Sequence, residues 1–400
     1  MVESFDDITL RKQNGKGVVC KIEKSITEGV KIFPSQNFSE DNNLYEECIH
    51  GSVEEKKWSF INNRYEKKTT HQLGNEPISS LIKSSCLIIG DSYLSDTRSL
   101  NVLKYSCEIP LARIFFCENH SYAEQDYLNL ASYKKNLFYE SGITIELSYH
   151  HDFNLGKSVL KINIESQTGQ KLERFDLAVA DIITLMSFSL GKVISKQNEV
   201  VFCEEGDFSL FRESWFKSVK SSSCSRPPLF FVRSISQGIF DKWLKFRQHQ
   251  GDLFNLYYLT LKFPMDNSTV FILRSQLVEG LHRQLSENNE FNYVDRLKSI
   301  FKDSEYIDFV EEFISRQEIN KLCNKLKNAR NYYTHYNKDD EFKRLNREDI
   351  IFDSMKLDLF IDLYIMKNIG LRKDYFENIK CSVIKDRLFR KQIIKQTLNS

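Results

Sequence analysis

The sequence predicts an α+β protein in which a β-rich N-terminal domain is followed by an all-α helical bundle. The distribution of glycine and proline carries this prediction. Residues 1–264 hold 13 of the 15 glycines and all six prolines, whereas residues 265–400 hold only Gly280 and Gly370. Because both residue types interrupt regular elements, the first part is predicted to contain short strands and turns, and the last part long helices.

Length and a proline-containing segment predict the domain boundaries. A chain of 400 residues exceeds what one compact core usually holds. Residues 221–228 combine serines with two consecutive prolines, which is typical of an extended connector. We therefore predict an N-terminal domain at 1–220 with a sensing or regulatory role, a linker at 221–228, and a helical domain at 229–400.

Alternating apolar and polar residues predict the strands of the first domain, arranged as an antiparallel sheet or sandwich. Gly90-Asp91 and Gly169 are predicted turns, and residues 172–190 form one predicted helix that ends at Gly191. The predicted strands are 17–24, 30–33, 57–61, 86–89, 111–117, 143–149, 158–164 and 200–203.

Helical periodicity takes over after the linker and predicts an up-and-down bundle. Gly251 is expected to separate the first two helices, and Asn267 or Ser268 is expected to cap the third. The predicted helices are 234–250, 252–262, 267–285, 293–301, 305–315, 317–336, 347–369 and 374–398.

Composition excludes several classes of protein. A hydrophobic fraction of 41% argues against disorder. The nine cysteines include no C-x-x-C pair, so we predict reduced thiols, no metal site and no cofactor. No secretory signal or membrane span is predicted, which favours a cytoplasmic location. Residues 229–400 carry 29 basic and 24 acidic side chains, an excess compatible with a polyanionic partner.

The sharpest chemical signal is the segment RNYYTH, which begins at Arg330 and ends at His335. On a helical wheel its helix has an apolar face made by Ile319, Leu322, Leu326, Ala329 and Tyr333. A separate polar face is made by Asn324, Lys327, Asn331 and His335. Asn331 and His335 are one turn apart, so their side chains are neighbours, and Arg330 lies between the two faces.

These residue types suit the cleavage of RNA by its own 2′-hydroxyl group. Histidine transfers protons near neutral pH, and arginine binds phosphate oxygens while it remains charged. Asn331 could orient the histidine or the phosphate. Because the segment offers a single histidine, a two-fold dimer with two facing segments would supply both an acid and a base.

The pattern R-N-x3-H resembles the signature of HEPN-domain ribonucleases. The local sequence ARNYYTHYN resembles in particular the HEPN domain of the ApeA family of bacterial anti-phage, abortive-infection proteins. The stretch LERFDLAVADIITLMSFSLGKVI is similar to the end of that family's N-terminal domain, and ILRSQLVEGLHRQL is similar to its first HEPN core helix. The resemblance spans most of the chain.

The resemblance implies a metal-independent endoribonuclease that acts as a toxin on cellular RNA, for example tRNA, during antiviral defence. It implies a homodimer or higher symmetric oligomer formed through the HEPN domain, and a phage-derived trigger. Arg330, Asn331 and His335 match the family's catalytic motif position by position. Candidate supporting residues are Glu279, on the preceding core helix, Lys327 and Tyr336.

Less specific interpretations remain open. An arginine and a histidine five positions apart on a helix are more often a solvated, ion-paired face. Tyr333 is expected in the core, whereas Tyr336 could stack on a base or remain a surface residue. A HEPN protein could also bind RNA or a nucleotide without cutting it, or serve only as a dimerising adaptor.

Overall fold

The computed structural model describes residues 2–12, 17–25, 29–35, 45–67, 80–98, 100–110, 133–139, 142–152, 157–212, 228–263, 265–286, 290–311, 314–336 and 344–371. These residues form two compact units. The first holds the described residues up to Ile183 and those at 194–212; the second holds Thr184–Val193 and those from 228 onward. The predicted strand 111–117, the linker except Pro228, and the helix 374–398 lie outside the described residues.

The first unit is built on one antiparallel sheet whose twelve described strands have the order β3-β2-β1-β4-β5-β6-β12-β11-β7-β10-β9-β8. The strands are β1 (Val2–Lys12), β2 (Val18–Ser25), β3 (Gly29–Pro34), β4 (Tyr45–Val53), β5 (Lys56–Lys67), β6 (Ser80–Gly90), β7 (Asn101–Pro110), β8 (Lys134–Tyr139), β9 (Ile143–Asp152), β10 (Lys157–Lys171), β11 (Gln197–Cys203) and β12 (Gly206–Arg212). The α+β class predicted from sequence is therefore confirmed.

The first six strands close on themselves, because β3 also pairs with β6. Alternation along β2 buries every second side chain, and the apolar residues of these strands form a common core around Trp58 and Phe60. Closure gives β3 a second neighbour, and β3 becomes the third partner of β6, which also pairs with β5 and β12. The described strands thus form one partly closed antiparallel sheet. Of the two arrangements predicted from the sequence, a sheet or a sandwich, the structure has the sheet.

Gly169 was predicted in a turn but lies within β10. The pairing of β10 with β7 shifts register between Glu165 and Gln170, which marks an irregularity in the ladder. A Cβ atom at position 169 would lie 2.1 Å from Oδ1 of Asn101. The glycine therefore leaves room for the side chain of Asn101 on the neighbouring strand and does not mark a change of direction.

The helix α1 (Leu172–Leu190) has the predicted bounds, and Gly191 follows it at a φ of 58°. In the first unit, Asp176 of α1 accepts two hydrogen bonds from Arg212, of 2.6 and 2.7 Å. Arg212 also pairs with the buried carboxylate of Glu199, to which Tyr105 donates a bond of 2.6 Å. Lys196 joins the same group, 2.8 Å from Glu199, so the two acids and two bases balance one another.

The described part of the second unit is helical from residue 232 onward. A short 3-10 turn at Val232–Ser234 precedes the helices. The helices are α2 (Gln237–Lys262), α3 (Asn267–Leu285), α4 (Tyr293–Phe301), α5 (Ile307–Glu311), α6 (Arg316–His335) and α7 (Arg347–Asn368). The central helix is α3, which packs against α2, α6 and α7. No described helix combines the length and apolar character needed to cross a lipid bilayer.

The break expected near Gly251 is present, whereas the expected cap of the next helix was wrong. Helix α2 consists of two helical segments that meet in a kink at Gln250, whose φ of −121° is not helical, one residue before Gly251. One glycine costs a helix only about 1 kcal/mol, and α2 keeps an aromatic face on both sides of the kink, with Trp243 and Phe254 in contact. The N-cap of α3 is Asp266, not Asn267 or Ser268.

Candidate active site

Helix α6 carries the candidate catalytic residues at its C-terminal end. Its buried face holds Ile319, Leu322, Leu326, Ala329 and Tyr333, as the helical wheel predicted, and also Cys323. The helix ends at Tyr336, which adopts the left-handed conformation and donates its backbone N–H to the carbonyl of Tyr332 at 2.7 Å. His335 is the last helical residue, so Arg330, Asn331 and His335 occupy the final turn and a half.

Arg330 is anchored by an acid on a neighbouring helix. Its Nη2 donates a hydrogen bond of 2.6 Å to Oε2 of Glu279 on α3, and the two side chains are 29% and 19% exposed. The other carboxylate oxygen, Oε1, accepts a bond of 2.7 Å from Arg283, one turn further along α3. The packing of α3 against α6 thus gives one carboxylate two arginine partners.

An aromatic ring supports the guanidinium of Arg330. The ring of Tyr293, the first residue of α4, lies with its centroid 5.5 Å from Cζ, within the range of a cation–π contact. Burial raises the pKa of the Tyr293 hydroxyl above its usual value, so the ring remains neutral. This contact and the Glu279 hydrogen bond restrict Arg330 from two directions.

The remaining donors of Arg330 are not used up by these contacts. Its Nη1 makes a long hydrogen bond of 3.4 Å to Oδ1 of Asn331, and its Nε is buried and donates to no other described residue. A guanidinium has five N–H donors in a planar fork, which fits the oxygens of a phosphate. Nη2 can therefore remain with Glu279 while Nη1, whose bond to Asn331 is long, turns to an anion.

Asn331, His335 and Lys327 share the polar face of α6. They stand one turn apart, Asn331 is half-buried, and the other two are exposed. In the described parts of the chain, the side chains of His335 and Lys327 make no hydrogen bond to another residue. The imidazole is therefore accessible for proton transfer, next to the amide of Asn331 that also contacts Arg330.

The three tyrosines of the segment differ in burial. Tyr333 is buried, donates its hydroxyl to the carbonyl of Leu345 at 3.3 Å, and packs against Phe271. Tyr332 is half-buried and contacts the rings of both Tyr333 and Tyr336. Tyr336 is 63% exposed. Tyr333 is a core residue, as expected.

The structure adds two residues that the sequence did not single out, Tyr293 and Arg283. Tyr293 begins a short amphipathic helix, and nothing in its local sequence connects it with an arginine on α6. Arg283 could have been found, because it is one helical turn after Glu279. Among the described residues, no three His, Cys, Asp or Glu side chains cluster as ligands for a metal ion.

Comparison with known proteins gives one match. Residues 268–375 match the model of the family described as Apea-like HEPN. No curated protein and no solved structure matches the chain. The matched segment runs from the start of α3 to just beyond α7 and includes Glu279, Arg330, Asn331 and His335. HEPN domains are associated with RNA or nucleotides, generally as ribonucleases in defence, and residues 268–375 are the part of this chain that is similar to them.

Proposed function

We propose that the protein is a metal-independent endoribonuclease that cuts cellular RNA, with tRNA as one candidate, in anti-phage abortive infection. The observation that carries the proposal is the restraint of Arg330 by Glu279 and Tyr293, next to the polar face of Asn331 and His335. A phosphate-binding cation and a proton-transfer group then share one helix end, in a domain of the HEPN class.

The proposed reaction uses the RNA and the side chains of this segment, supplied by one or two copies of the chain. The 2′-hydroxyl attacks the adjacent phosphorus while an imidazole takes its proton, and the bond to the 5′-oxygen breaks as that oxygen is protonated. The products are a 2′,3′-cyclic phosphate and a 5′-hydroxyl. Arg330 stabilises the additional negative charge on the phosphorane, and Asn331 orients the phosphate or the imidazole.

One chain supplies one histidine in this segment, whereas the reaction has both a proton acceptor and a proton donor. We therefore propose a homodimer, or a larger symmetric assembly, in which two α6 ends face one RNA strand. The exposure of His335 and Lys327 supports this, because both side chains are accessible in the single chain. A phage-derived trigger acting through the N-terminal domain in the cytoplasm completes the proposal.

The outward face of α6 is suited to a polyanion. The residues on this face include Asn320, Asn324, Lys327, Asn328, Asn331 and His335, and none of these is acidic. Asparagine amides and lysine ammonium groups donate hydrogen bonds to phosphate and sugar oxygens. Lys327, one turn before Asn331, is placed to bind a phosphate next to the one that is cut.

The test compares the wild type with His335→Ala on total RNA in EDTA, and maps the new RNA ends. We expect the wild type to produce 2′,3′-cyclic phosphate ends and the variant to produce none. His249→Ala, at an exposed histidine of α2, is the matched control and should cut like the wild type. Loss of wild-type cleavage in EDTA would exclude the metal-free reaction, and undiminished cleavage by His335→Ala would exclude the assigned site. RNA binding without new ends would support sequestration instead.

A further inference from the structure

Tyr336 follows His335 in a conformation that the fold alone does not favour. Its φ of 50° lies in the left-handed region, where glycine or asparagine usually ends a helix and a bulky side chain costs energy. It is also the most exposed large apolar side chain described in the second unit, at 63%, ahead of Phe263 at 47%. Backbone conformation and exposure both disfavour a tyrosine here if stability is its only role.

The ring of Tyr336 is nevertheless supported. The Tyr332 ring lies 5.9 Å away at 57°, and Tyr332 in turn contacts the buried Tyr333 at 5.2 Å. The Tyr336 ring also lies 6.4 Å from that of Tyr333, which is fixed by Phe271 and by its hydrogen bond to Leu345. A buried, a half-buried and an exposed tyrosine thus form a continuous cluster of tilted and edge-to-face rings, which reaches the surface at the residue after His335.

We infer that Tyr336 binds an unpaired nucleobase of the RNA beside the phosphate that is cut, so that the substrate is single-stranded RNA or a loop. This inference rests on the function proposed above. A supported, exposed aromatic ring binds any base by stacking, and a base in a duplex does not offer its face. Attack of a 2′-hydroxyl in line with the leaving oxygen also needs a flexible backbone, which an unpaired segment provides.

The first experiment measures cleavage of a single-stranded oligoribonucleotide and of the same strand in a duplex. Tyr336→Phe keeps a ring and should cut with nearly the wild-type KM. Tyr336→Asn keeps the left-handed cap but removes the ring, and should raise KM by roughly 5- to 100-fold with little change in kcat. Phe263→Leu, at an exposed aromatic residue outside the site, should behave like the wild type. The wild type should cut the duplex far more slowly than the single strand.

A second readout does not depend on cleavage. In a His335→Ala background, an oligoribonucleotide with 2-aminopurine beside the mapped cut position should lose fluorescence on binding, and Tyr336→Asn should abolish this quenching. Equal KM and quenching for Tyr336→Asn and the wild type, or equal cleavage of duplex and single strand, would overturn the inference. A lower oligomer mass for Tyr336→Asn would also overturn it, because Tyr336 would then be a contact between copies.

The two proposals can fail separately. If stacking is wrong but the nuclease is right, the wild type still produces cyclic phosphate ends and only the dependence on Tyr336 is missing. If the wild type neither cuts nor binds RNA, the proposed function is wrong, and the inference about Tyr336 is overturned with it.

Discussion

The pair formed by Glu279 and Arg330 predicts a measurable coupling between helices α3 and α6. Replacing Glu279 with alanine removes the carboxylate that holds Nη2 of Arg330 at 2.6 Å and leaves a partly buried cation without its acid. We expect the second unit to become less stable and Arg330 to lose its fixed orientation. Because a misplacement of about 1 Å can cost roughly 100-fold in rate, RNA cleavage should fall more than stability alone would require.

The size of the coupling free energy follows from the distance between the two charges and from the exposure of their side chains. Two unit charges whose centres are about 4 Å apart attract by about 4 kcal/mol at an effective dielectric constant of about 20. The side chains are 19% and 29% exposed, and their removal from water offsets part of this attraction. Exposed pairs contribute about 0–1 kcal/mol. We therefore expect a coupling free energy of about 1–2 kcal/mol between Glu279 and Arg330.

A double-mutant cycle measures this coupling. The variants are Glu279→Ala, Arg330→Ala and the double variant, and the readout is urea unfolding followed by far-ultraviolet circular dichroism. The matched control is a cycle between Glu279 and Arg283, which binds the same carboxylate at 2.7 Å but is 60% exposed. That pair, one turn apart on α3, should couple by only about 0.2–0.5 kcal/mol.

The comparison of the two cycles tests whether Glu279 holds Arg330 in place. A coupling of Glu279 to Arg330 no larger than its coupling to Arg283 would refute the reasoning, because Arg330 would then not be held by Glu279. Full cleavage activity in Glu279→Ala, with the expected loss of stability, would show that the carboxylate supports the fold without positioning the arginine.

Two further predictions concern buried charges. Burial, aided by the charge of Arg296, lowers the pKa of His282 from its usual 6.5 to about 4. As the pH falls, the unfolded chain therefore binds a proton at this histidine before the folded chain does. The contribution of neutral His282 to the free energy of unfolding is complete above pH 6.5 and is lost as the pH falls toward 4, by on the order of 2–3 kcal/mol. In urea unfolding at several pH values His282→Asn should lack this part of the slope, and an unchanged slope would contradict the assignment. In the first unit, Arg212→Met should destabilise by about 3 kcal/mol, because, of the two described cations, only Lys196 then remains beside the carboxylates of Asp176 and Glu199. Arg98→Met, at a side chain 80% exposed, is the control and should change little in the same unfolding assay; equal effects of the two would contradict the network.

Local pattern predicted the helices better than the strands. The predicted bounds of α1, α3 and α4 agree with the structure, because each helix has a regular apolar stripe and a clear end. The kink in α2 at Gln250 was predicted to within one residue, because Gly251 is a poor helix former. Strands such as β1 and β4 lack clean alternation, and their pairing depends on partners far away in the chain.

In the candidate site too, what lies within one helix was predicted and what depends on distant partners was not. The polar face of α6 follows from spacing within one helix, so Asn331, His335 and Lys327 could be grouped from the sequence. The restraint of Arg330 could not, because Glu279 and Tyr293 lie on two other helices and reach it only through tertiary packing. The resemblance had suggested Glu279 as a supporting residue, but no pattern in the sequence indicated that its partner would be Arg330.

The central claim is that His335 and Arg330 promote attack by the 2′-hydroxyl of RNA. Its most direct test is the cleavage of a single-stranded oligoribonucleotide in EDTA, compared with the same strand carrying one 2′-deoxyribose at the mapped cut position. We predict that the wild type cuts the first strand to a 2′,3′-cyclic phosphate and leaves the second intact at that position, and that His335→Ala and Arg330→Ala cut neither. Cleavage of the 2′-deoxy position, or equal cleavage by His335→Ala, would contradict the account.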